Sequence, residues 1–581
     1  MKDKINIVIP MAGLGRRFKK LSKMPKPLIE IKGMPFFYYA AKSLTKYFDY
    51  SKLIFIGLKK HNKNNILIDK IKSFFPNATI KLLDKTPNGA VLTSREAIEL
   101  IDNDYPVIFN DCDHIFYSEE FTRSKNRLKN FDGFILTFNS NLPIYSYCIK
   151  DKKGNVVGTR EKEVISEDAI AGVYGFKNIK VFEKASQEYL ENCDYSEFYM
   201  SGLYNMPTLK KGIIKSYKTN FNISFGTIDE LKKAENNNIF YLYNDKIISD
   251  NFSILEDLSG MSEANTFLIK NKNDIFIRKI ASNGAAKKLK KQYQYIIENK
   301  YLKLPKILNK YEENNIFYYD MKYFAKGYTF FNGIYNKKII NPLKIIKNIL
   351  ESLKIYHSNQ KTINELDKNK IINNIYEQHI LYNINFIKQR KEYKHIANYK
   401  YLIVNNQKVP NILNMLNYLK EYHFSINHNI KYIHGDLTIE NILVDKNQNY
   451  MIIDPAPRYN DLFAEYSKLF QSLHGKYEYI KKITNYKMYR NKIEYNLSET
   501  NEYDEIFEYV SNYIIDNYGI GNLQKVYFYE AICYIRAMVY MLKLNKDNAF
   551  LMLALSGLAI ENFKMLEREN LILKYHYKEA A

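Results

Sequence analysis

The sequence predicts two domains, an N-terminal α/β domain and a C-terminal α+β domain with a small β part and a large helical part. At 581 residues the chain is too long for one ordinary hydrophobic core. From residue 4 to about 235, short apolar runs alternate with helix-like stretches, which is typical of a mostly parallel sheet. After about residue 250 a hairpin-like pair of runs leads into long helical stretches. We therefore place the domains at residues 1–240 and 256–581, with a linker at 241–255.

Each predicted element follows from a local pattern. The strands of the first domain are the apolar runs at residues 5–9, 53–56, 79–83, 107–109, 134–138 and 172–176. In the second domain, residues 266–269 and 275–280 predict a hairpin, and residues 316–323 predict a further strand. Asn341-Pro342 is a good cap and first turn for a helix with Leu343, Ile346, Leu350 and Leu353 on one face.

The composition is that of a soluble globular protein, with 46% hydrophobic and 26% charged residues. The formal charge of +23 comes from lysines spread along the whole chain, so we favour nucleotide or phosphate-ester substrates over nucleic acid, the weaker alternative. Four scattered cysteines and a start unlike a signal peptide favour the cytoplasm. The longest apolar stretch, residues 549–560, is too short to span a bilayer, so we expect a buried helix.

A glycine turn follows the first predicted strand. It reads Pro10-Met11-Ala12-Gly13-Leu14-Gly15-Arg16-Arg17-Phe18, at the carboxyl end of a strand, where open α/β sheets bind ligands. Glycines let backbone N–H groups approach phosphate, and an arginine supplies positive charge. The rigid turn Pro25-Lys26-Pro27-Leu28 comes next. Together these residues resemble the signature of the nucleotidylyltransferase family that makes nucleotide-sugars and nucleotide-alcohols.

That resemblance covers roughly residues 4–235 and implies a Rossmann-like mixed sheet of the GT-A kind. It implies that Arg17 and Lys26 bind the triphosphate and act in catalysis, with Gly13 and Gly15 at the phosphates. The loop Thr86-Pro87-Asn88-Gly89-Ala90 resembles the family's base-reading loop, so Thr86, Gly89 and Ala90 are assigned to the nucleotide. Lys162, in Glu161-Lys162 before a G-x-Y-x-F strand, would bind the acceptor phosphate.

Paired aspartates end the predicted strand at residues 107–109. Asp111 and Asp113 suit a magnesium site there, although such a pair also fits a turn or a helix cap. Many members of the resembled family carry a second metal-binding aspartate where this chain has Ser224. Asp113 or Glu197 then compensates, or the metal takes fewer protein ligands.

The most specific string in the chain lies near residue 436. His434-Gly435-Asp436-Leu437-Thr438-Ile439-Glu440-Asn441 is followed by a predicted strand that ends at Asp454. Phosphoryl transfer from ATP needs a carboxylate for the acceptor hydroxyl and oxygen ligands for Mg²⁺, and Asp436, Asn441 and Asp454 match these roles in order. The string resembles the catalytic loop of the aminoglycoside phosphotransferase and choline kinase superfamily, which shares the protein kinase fold.

This second resemblance implies several supporting residues. Ser262 and Asn265 would lie in the turn that covers the ATP phosphates, and Lys279 would be the nucleotide-binding lysine. Residues 461–469 resemble the family's D-x-A-K-L helix, which supports the site, and His474 is a positional candidate for the acceptor pocket.

The two resemblances describe consecutive reactions. A kinase would convert a small hydroxyl compound to its phosphate ester, and a nucleotidylyltransferase would join that ester to a nucleoside triphosphate with release of pyrophosphate. Fusions of this order resemble choline kinase–cytidylyltransferase proteins, which implies Mg²⁺, ATP, CTP, a polyol or amino alcohol, and capsule or lipo-oligosaccharide synthesis. The alternatives are a sugar 1-kinase joined to a pyrophosphorylase that uses UTP or GTP, and a nucleotidylyltransferase with a non-catalytic kinase-fold module. The sequence leaves the oligomeric state open.

Overall fold

The computed structural model describes residues 4–245, 252–260, 262–272, 274–483, 485–497, 501–543 and 548–579. The chain forms two compact units, an N-terminal unit of residues 1–286 with 309–323, and a C-terminal unit of residues 287–308 with 324–581. The domain boundary near residues 240–256 stays a prediction, and residues 246–251 of the expected linker lie outside the described residues.

The N-terminal unit begins with thirteen described strands and eight α-helices. The strands are β1 Ile5–Pro10, β2 Glu30–Ile31, β3 Met34–Pro35, β4 Tyr50–Leu58, β5 Thr79–Leu83, β6 Val107–Asn110, β7 His114–Tyr117, β8 Gly133–Asn139, β9 Tyr147–Lys150, β10 Val156–Arg160, β11 Asp168–Phe176, β12 Ile214–Lys218 and β13 Phe221–Ser224. The helices are α1 Phe36–Thr45, α2 Ile66–Phe74, α3 Ala90–Arg95, α4 Glu119–Arg123, α5 Ile179–Glu191, α6 Pro207–Lys210, α7 Ile228–Glu235 and α8 Ile239–Leu242.

A mixed sheet organises this unit. Nine of the described strands join it, seven of them in the order β10-β9-β11-β6-β1-β4-β5, while β8 pairs with both β11 and β12. β1 runs parallel to β4 and β6, whereas β11 runs antiparallel to β6 and β8. The predicted α/β sheet is therefore confirmed. It is mixed, as the family resemblance implied, although the alternation of strands and helices alone had suggested a mostly parallel sheet. All six predicted strands of this region are present.

Hydrophobic side chains cover both faces of the sheet, because β1, β4 and β6 contribute buried residues to two separate core clusters. Along β1, Ile7 and Ile9 belong to one cluster and Val8 to the other, as the alternation of side chains along a strand requires. The buried Asn6 is satisfied by the side chain of Asn103 at 2.7 Å. This packing holds the carboxyl ends of β1 and β6 side by side, where the polar loops begin.

Five further strands form an antiparallel sheet in the order β14-β15-β16-β18-β17 within the described part of the chain. They are β14 Ser253–Asp257, β15 Asn265–Asn271, β16 Asp274–Ser282, β17 Ile307–Glu313 and β18 Ile316–Lys322. The predicted hairpin is confirmed as β15 and β16. Ile254, Phe267 and Ile269 are buried in the same core cluster as α1. The buried Arg278 on β16 forms two hydrogen bonds with Asp320 on β18, at 2.7 and 2.9 Å.

The remaining chain is largely helical, and most of it lies in the C-terminal unit. Its described helices are α9 Asn283–Glu298, α10 Phe330–Tyr335, α11 Pro342–Ser358, α12 Glu365–Ile375, α13 Tyr382–Gln389, α14 Leu416–Ser425, α15 Phe463–Leu473, α16 Tyr477–Ile480, α17 Asn501–Tyr518, α18 Ile520–Lys543 and α19 Ala549–Glu579. Its described strands are β19 Tyr328–Thr329, β20 Tyr401–Val404, β21 Gln407–Pro410, β22 Ile430–Ile433, β23 Ile442–Val444, β24 Tyr450–Ile452, β25 Arg458–Asp461, β26 Lys487–Tyr489 and β27 Lys492–Glu494.

Local sequence explains the best-predicted helix of this unit. Asn341 caps α11 by accepting a hydrogen bond from the Lys344 N–H at 2.9 Å, and Ile346, Leu350 and Leu353 are fully buried. A sheet in the order β21-β20-β27-β26 was not predicted, because its short strands lie in Asn- and Lys-rich sequence. Whether the β sheet and helices together form a kinase fold stays a prediction.

The first two-thirds of α19 is strongly apolar. Residues Ala549–Arg568 are long and apolar enough to cross a membrane by length and composition alone, the one such helix in the described part of the chain. However, 61% of the segment's most apolar window is buried, and Leu551, Leu555 and Phe563 belong to the core cluster of this unit.

Candidate active sites

A cleft opens in the N-terminal unit at the carboxyl ends of β1 and β6. It consists of two adjoining cavities of about 790 and 280 Å³. Lys26, Ala90, Asp111 and Asp113 line both of them. These four residues therefore stand where a ligand in one cavity would meet a ligand in the other.

The larger cavity brings together the predicted nucleotide-binding residues. Gly13, Gly15, Thr86, Gly89 and Ala90 all lie in its wall, although they come from two separate loops. Its volume is in the range that small-molecule sites commonly have. The glycine turn and the loop at residues 86–90 thus face one space, while their role in nucleotide binding stays a prediction.

Lys26 is the central cation of the cleft. Its ammonium group donates to the Asp113 carboxylate, and both side chains are mostly buried, with exposed fractions of 21% and 24%. Burial disfavours the charged ammonium, but the combined attraction of its neighbours, Asp113 first and then Cys112 and Asp111, outweighs burial, so the pKa of Lys26 lies above its ordinary value. By the same balance the pKa of Asp113 lies below its ordinary value. Arg17 adds a second cation, in the wall of the smaller cavity.

Asp111 is held closely by the neighbouring strand β11. Its N–H donates to the Gly172 carbonyl at 2.9 Å. A Cβ on Gly172 would lie 2.8 Å from the Asp111 carboxylate, and the φ of +75° there also favours glycine. Burial first, and then the charge of Asp113, raises the pKa of Asp111 to about 8.

These two carboxylates fit a divalent cation. A buried carboxylate with a raised pKa lacks compensating positive charge, which a metal ion supplies. Within the described residues, no group of three or more His, Cys, Asp or Glu side chains could hold a metal. Magnesium commonly binds through one or two carboxylates and completes its shell with substrate phosphates and water, so Asp111 and Asp113 suit it.

Carboxylates and hydroxyl groups line the smaller cavity. Glu161 accepts hydrogen bonds from Ser146 and from Ser201, and Tyr145 donates to Glu230 at 2.7 Å. Sequence reasoning had not assigned Glu161, Tyr145 or Glu230 to the site, because they come from three distant segments. Only the Glu161-Lys162 pair carried a signal.

Lys162 reaches this cavity through Tyr199. Its ammonium donates to the Tyr199 hydroxyl at 2.8 Å and lies 4.5 Å from the centre of that ring. The hydrogen bond with Tyr199 is the main reason why the pKa of Lys162 is raised. Tyr199 itself lines the cavity. Lys162 therefore contacts a residue of the cavity wall but does not itself line the cavity.

The surroundings of Ser224 distinguish the two proposed substitutes for the missing aspartate. Ser224 lines the smaller cavity, and Gly226 packs so closely on Asp113 that a Cβ there would lie 2.5 Å from its carboxylate. Glu197 is exposed and lines the larger cavity. Asp113 therefore occupies the neighbourhood of Ser224, whereas Glu197 does not.

The C-terminal unit links the two segments that carry its three predicted residues, Asp436 and Asn441 in the loop after β22 and Asp454 after β24. The Asn441 side chain donates to the backbone carbonyl of Asp436 at 2.7 Å and to its carboxylate at 3.0 Å. The Ile453 N–H donates to the Asn441 carbonyl at 2.8 Å, which ties the residue before Asp454 to the loop. Asp454 has a left-handed φ of 55°, a costly conformation for a non-glycine residue that is often retained at functional sites.

Helix α15 holds the loop at residues 434–441 through hydrogen bonds to its backbone. Glu465 is fully buried and accepts the N–H groups of His434 and Gly435 at 2.6 and 3.1 Å. Burial raises the pKa of Glu465 to about 7, although these two N–H groups oppose the rise. Gly435 has a φ of +78°, and a Cβ there would lie 2.4 Å from the Ala456 carbonyl, so glycine is required.

Lys468 of the same helix lies 3.1 Å from the Asp436 carboxylate. Partial burial of Asp436 is outweighed by nearby positive charge, that of Lys468 first, so the pKa of Asp436 is lowered. His474, a candidate for the acceptor pocket, instead pairs with the buried Glu530 at 2.8 Å. Only the D-x-A-K-L resemblance had pointed to this helix.

The predicted ATP-binding residues Ser262, Asn265 and Lys279 lie in the N-terminal unit. Ser262 donates to the Ala264 carbonyl at 2.8 Å, and Lys279 is buried on β16 with an exposed fraction of 3%. The Asn265 side-chain oxygen accepts from both the N–H and the side-chain amide of Asn238, each at 2.8 Å. Asn265 thus links β15 to the residue before α8.

We expect Asn265→Ala to lower the free energy of unfolding of the N-terminal unit by about 2 kcal/mol, because two buried donors of Asn238 lose their acceptor. Thermal denaturation followed by circular dichroism measures the change. Asn236→Ala, which removes an exposed amide bonded to the end of the preceding helix α7, serves as the control and should change little. Unchanged stability with weakened ATP binding would show that the Asn265 amide serves the nucleotide instead.

No protein-family model and no curated protein matches this sequence. Solved structures match its N-terminal part. A nucleoside-diphosphate-sugar pyrophosphorylase from Vibrio cholerae RC9 is 22% identical, with 40% of this chain and 100% of that chain covered and a TM-score of 0.36. The inositol-1-phosphate CTP transferase from T. maritima is 14% identical, with 42% of this chain and 97% of that chain covered and a TM-score of 0.35. HddC from Yersinia pseudotuberculosis is 21% identical, with 40% of this chain and 98% of that chain covered and a TM-score of 0.31.

Proposed function

We propose that the N-terminal unit is a nucleotidylyltransferase that joins a small phosphate ester to a nucleoside triphosphate. The observation that carries this proposal is the position of Lys26, Asp111 and Asp113, which line both the cavity of the glycine turn and the adjoining smaller cavity. A phosphate oxygen of the ester attacks the α-phosphorus of the triphosphate, and the bond to pyrophosphate breaks. Such a reaction needs cations where the two ligands meet.

The charged residues at or near the boundary between the two cavities each have a proposed task. Lys26 and Arg17 neutralise the charge that builds on the α-phosphate during attack. Asp111 and Asp113 would hold Mg²⁺, which when bound supplies positive charge to the triphosphate. Asp113 also keeps Lys26 charged and in place, because the two side chains are paired. Asp113 would thereby serve as the second metal-binding carboxylate, which the chain lacks at position 224.

The smaller cavity suits a small acceptor that carries hydroxyl or amino groups. At about 280 Å³ it is at the lower end of small-molecule sites, which favours a short polyol or amino alcohol over a large substrate. Glu161 and Glu230 lie in its wall as hydrogen-bond acceptors, and Lys162 is assigned to the phosphate of the ester. We favour CTP as the nucleotide because of the resemblance to choline kinase–cytidylyltransferase fusions.

The C-terminal part is proposed to make the phosphate ester from ATP and the free alcohol. Asp436 would orient the acceptor hydroxyl and accept its proton, while Asn441 and Asp454 would hold Mg²⁺ at the ATP phosphates. Ser262, Asn265 and Lys279 remain the proposed nucleotide-binding residues. The two activities would supply a nucleotide-linked precursor for a capsule or another surface glycan, in the cytoplasm.

The proposed nucleotidyl transfer can be tested separately from the kinase step. We expect the purified protein, given Mg²⁺, CTP and preformed phosphate esters of small alcohols, to release pyrophosphate with one of them and without ATP. A coupled pyrophosphate assay measures this reaction. The proposal fails if no ester among the polyol, amino alcohol and sugar phosphates releases pyrophosphate with CTP, UTP, GTP or dTTP.

Magnesium binding in the N-terminal unit should depend on pH. Asp111 has a pKa of about 8, so below that pH the metal must displace a proton, and affinity should rise as the carboxylate ionises. We expect Mg²⁺ affinity in the presence of a non-hydrolysable CTP analogue to increase roughly 25-fold between about pH 6.5 and 8.5. Calorimetric titration measures it. In Asp111→Asn, only the pH dependence that comes from the nucleotide's own phosphates should remain. An equal change of Mg²⁺ affinity with pH in the wild-type and variant proteins would contradict the assignment.

A further inference from the structure

One face of α15 contacts the loop at residues 434–441 at three successive positions. Glu465 accepts the N–H groups of His434 and Gly435. One turn later Lys468 lies 3.1 Å from the Asp436 carboxylate, and a further turn later Ser472 accepts the Ile439 N–H at 3.2 Å. Residues spaced by three and seven positions lie on the same side of a helix. One helical face therefore holds the loop at four of its residues, while Arg458 of β25 holds the Gly435 carbonyl at 2.9 Å and Lys481 pairs with Glu440.

The loop has no lysine or arginine of its own. Residues 434–441 contain two carboxylates, those of Asp436 and Glu440, and Glu440 is already paired with Lys481. The positive charge at Asp436 must therefore come from another element. Lys468 provides it within ion-pair distance, while Arg458 of β25 adds a weaker attraction. Only 14% of the Lys468 side chain is exposed, against 41% for Asp436. Asp436 thus stays accessible to a substrate while its cation is largely buried.

Both carboxylate oxygens of Asp436 are fixed. Lys468 approaches Oδ1, and the Asn441 side chain donates to Oδ2 at 3.0 Å. The ammonium group is itself held by Gln471, one turn further along α15, at 2.9 Å. A long lysine side chain that is restrained at two points has little freedom left to lose when a substrate binds.

We propose that Lys468 is a positioning residue of the phosphotransferase site, which holds the Asp436 carboxylate aimed at the acceptor hydroxyl. This role rests on the proposed kinase function. In the transfer, the bond from the γ-phosphorus to the bridging oxygen of ADP breaks, and a bond to the acceptor oxygen forms. The acceptor's proton passes to Asp436, and the adjacent ammonium of Lys468 balances the negative charge in this region.

The test compares Lys468→Ala, Lys468→Arg and a control lysine in the full-length protein. Lys476 is the control, because it pairs with Asp504 at 3.2 Å and is similarly buried, with 20% of its side chain exposed. We expect Lys468→Ala to lower kcat for ATP-dependent phosphorylation about 100-fold, with less than a threefold change in KM for ATP. Lys468→Arg should recover at least a tenth of the wild-type kcat, since it restores the cation, and Lys476→Ala should stay within twofold.

Circular dichroism and thermal denaturation show whether each variant is folded. A folded Lys468→Ala protein with kcat within threefold of wild type would overturn the proposal. So would an arginine variant as slow as the alanine variant, since a restored charge would then have no effect. If the wild-type protein itself phosphorylates no acceptor, the kinase function fails and the role of Lys468 fails with it. If the wild-type protein is active but the Lys468 variants behave as above, only the role of Lys468 fails.

Discussion

Lys26→Ala should reduce nucleotidyl transfer about 100- to 1,000-fold while ATP-dependent phosphorylation stays unchanged. Lys26 is the one lysine in the described wall of the cleft, and it borders both cavities. Its removal deletes the cation nearest the proposed site of attack and leaves the Asp113 carboxylate without its partner. The expected loss is in kcat rather than in KM alone, because the charge on the α-phosphate grows only as the transition state forms.

Pyrophosphate release with a preformed ester measures the effect. Lys70→Ala is a matched control, since Lys70 pairs with Glu30 at 2.8 Å on the surface, where such pairs contribute little. Its rate should equal that of the wild type. Nucleotidyl transfer by Lys26→Ala within fivefold of the wild-type rate would contradict the assignment of Lys26.

Asp436→Asn should reduce ATP-dependent phosphorylation about 1,000-fold and leave nucleotidyl transfer intact. The substitution keeps the size of the side chain, but an amide cannot accept the acceptor's proton. It also removes the charge that Lys468 neutralises at 3.1 Å, so the buried ammonium loses its counter-ion. The phosphotransferase step therefore loses both its base and part of its geometry.

Phosphate-ester formation from ATP and the free alcohol measures this loss. Asp504→Asn supplies the control, because Asp504 also pairs with a lysine of the C-terminal unit but is 67% exposed. It should retain full activity. If Asp436→Asn also stopped pyrophosphate release from a preformed ester, the two sites would not be independent.

The parts of the sites that lie in continuous strings were predictable. The glycine turn, the loop at residues 86–90 and the segment from His434 to Asn441 each combine glycine, proline or polar residues with a flanking apolar strand. Such strings determine local backbone shape, so their chemistry and position are visible in one stretch of sequence. The glycines predicted to bind the nucleotide line one cavity, and their role there stays a prediction.

Residues that reach a site from distant segments were not predictable. Tyr145, Glu161 and Glu230 share a cavity only because β-strands and α7 bring them together. Glu465 and Lys468 act on a loop about thirty residues earlier, through a helical face whose target the sequence does not reveal. Likewise Asn265 looks like a turn residue in the sequence, yet tertiary contacts with Asn238 occupy its side-chain oxygen.

The fold shows the same division. Capping and periodicity predicted α11, because its stability depends on local hydrogen bonds and one apolar face. The burial of β14–β18 against the core of the N-terminal unit could not be anticipated, since apolar alternation indicates that a face is covered but not by what.

The central claim is that one chain performs both steps in sequence. The most direct test incubates the purified protein with Mg²⁺, ATP, CTP and each of a panel of unphosphorylated alcohols, and follows the products by phosphorus NMR and mass spectrometry. We predict a CDP-linked alcohol that forms only when ATP, CTP and one particular alcohol are all present, and that reappears in Asp436→Asn when the phosphate ester is supplied. A nucleotide-linked product that forms without ATP, or no such product with any alcohol and any nucleoside triphosphate, would contradict the account.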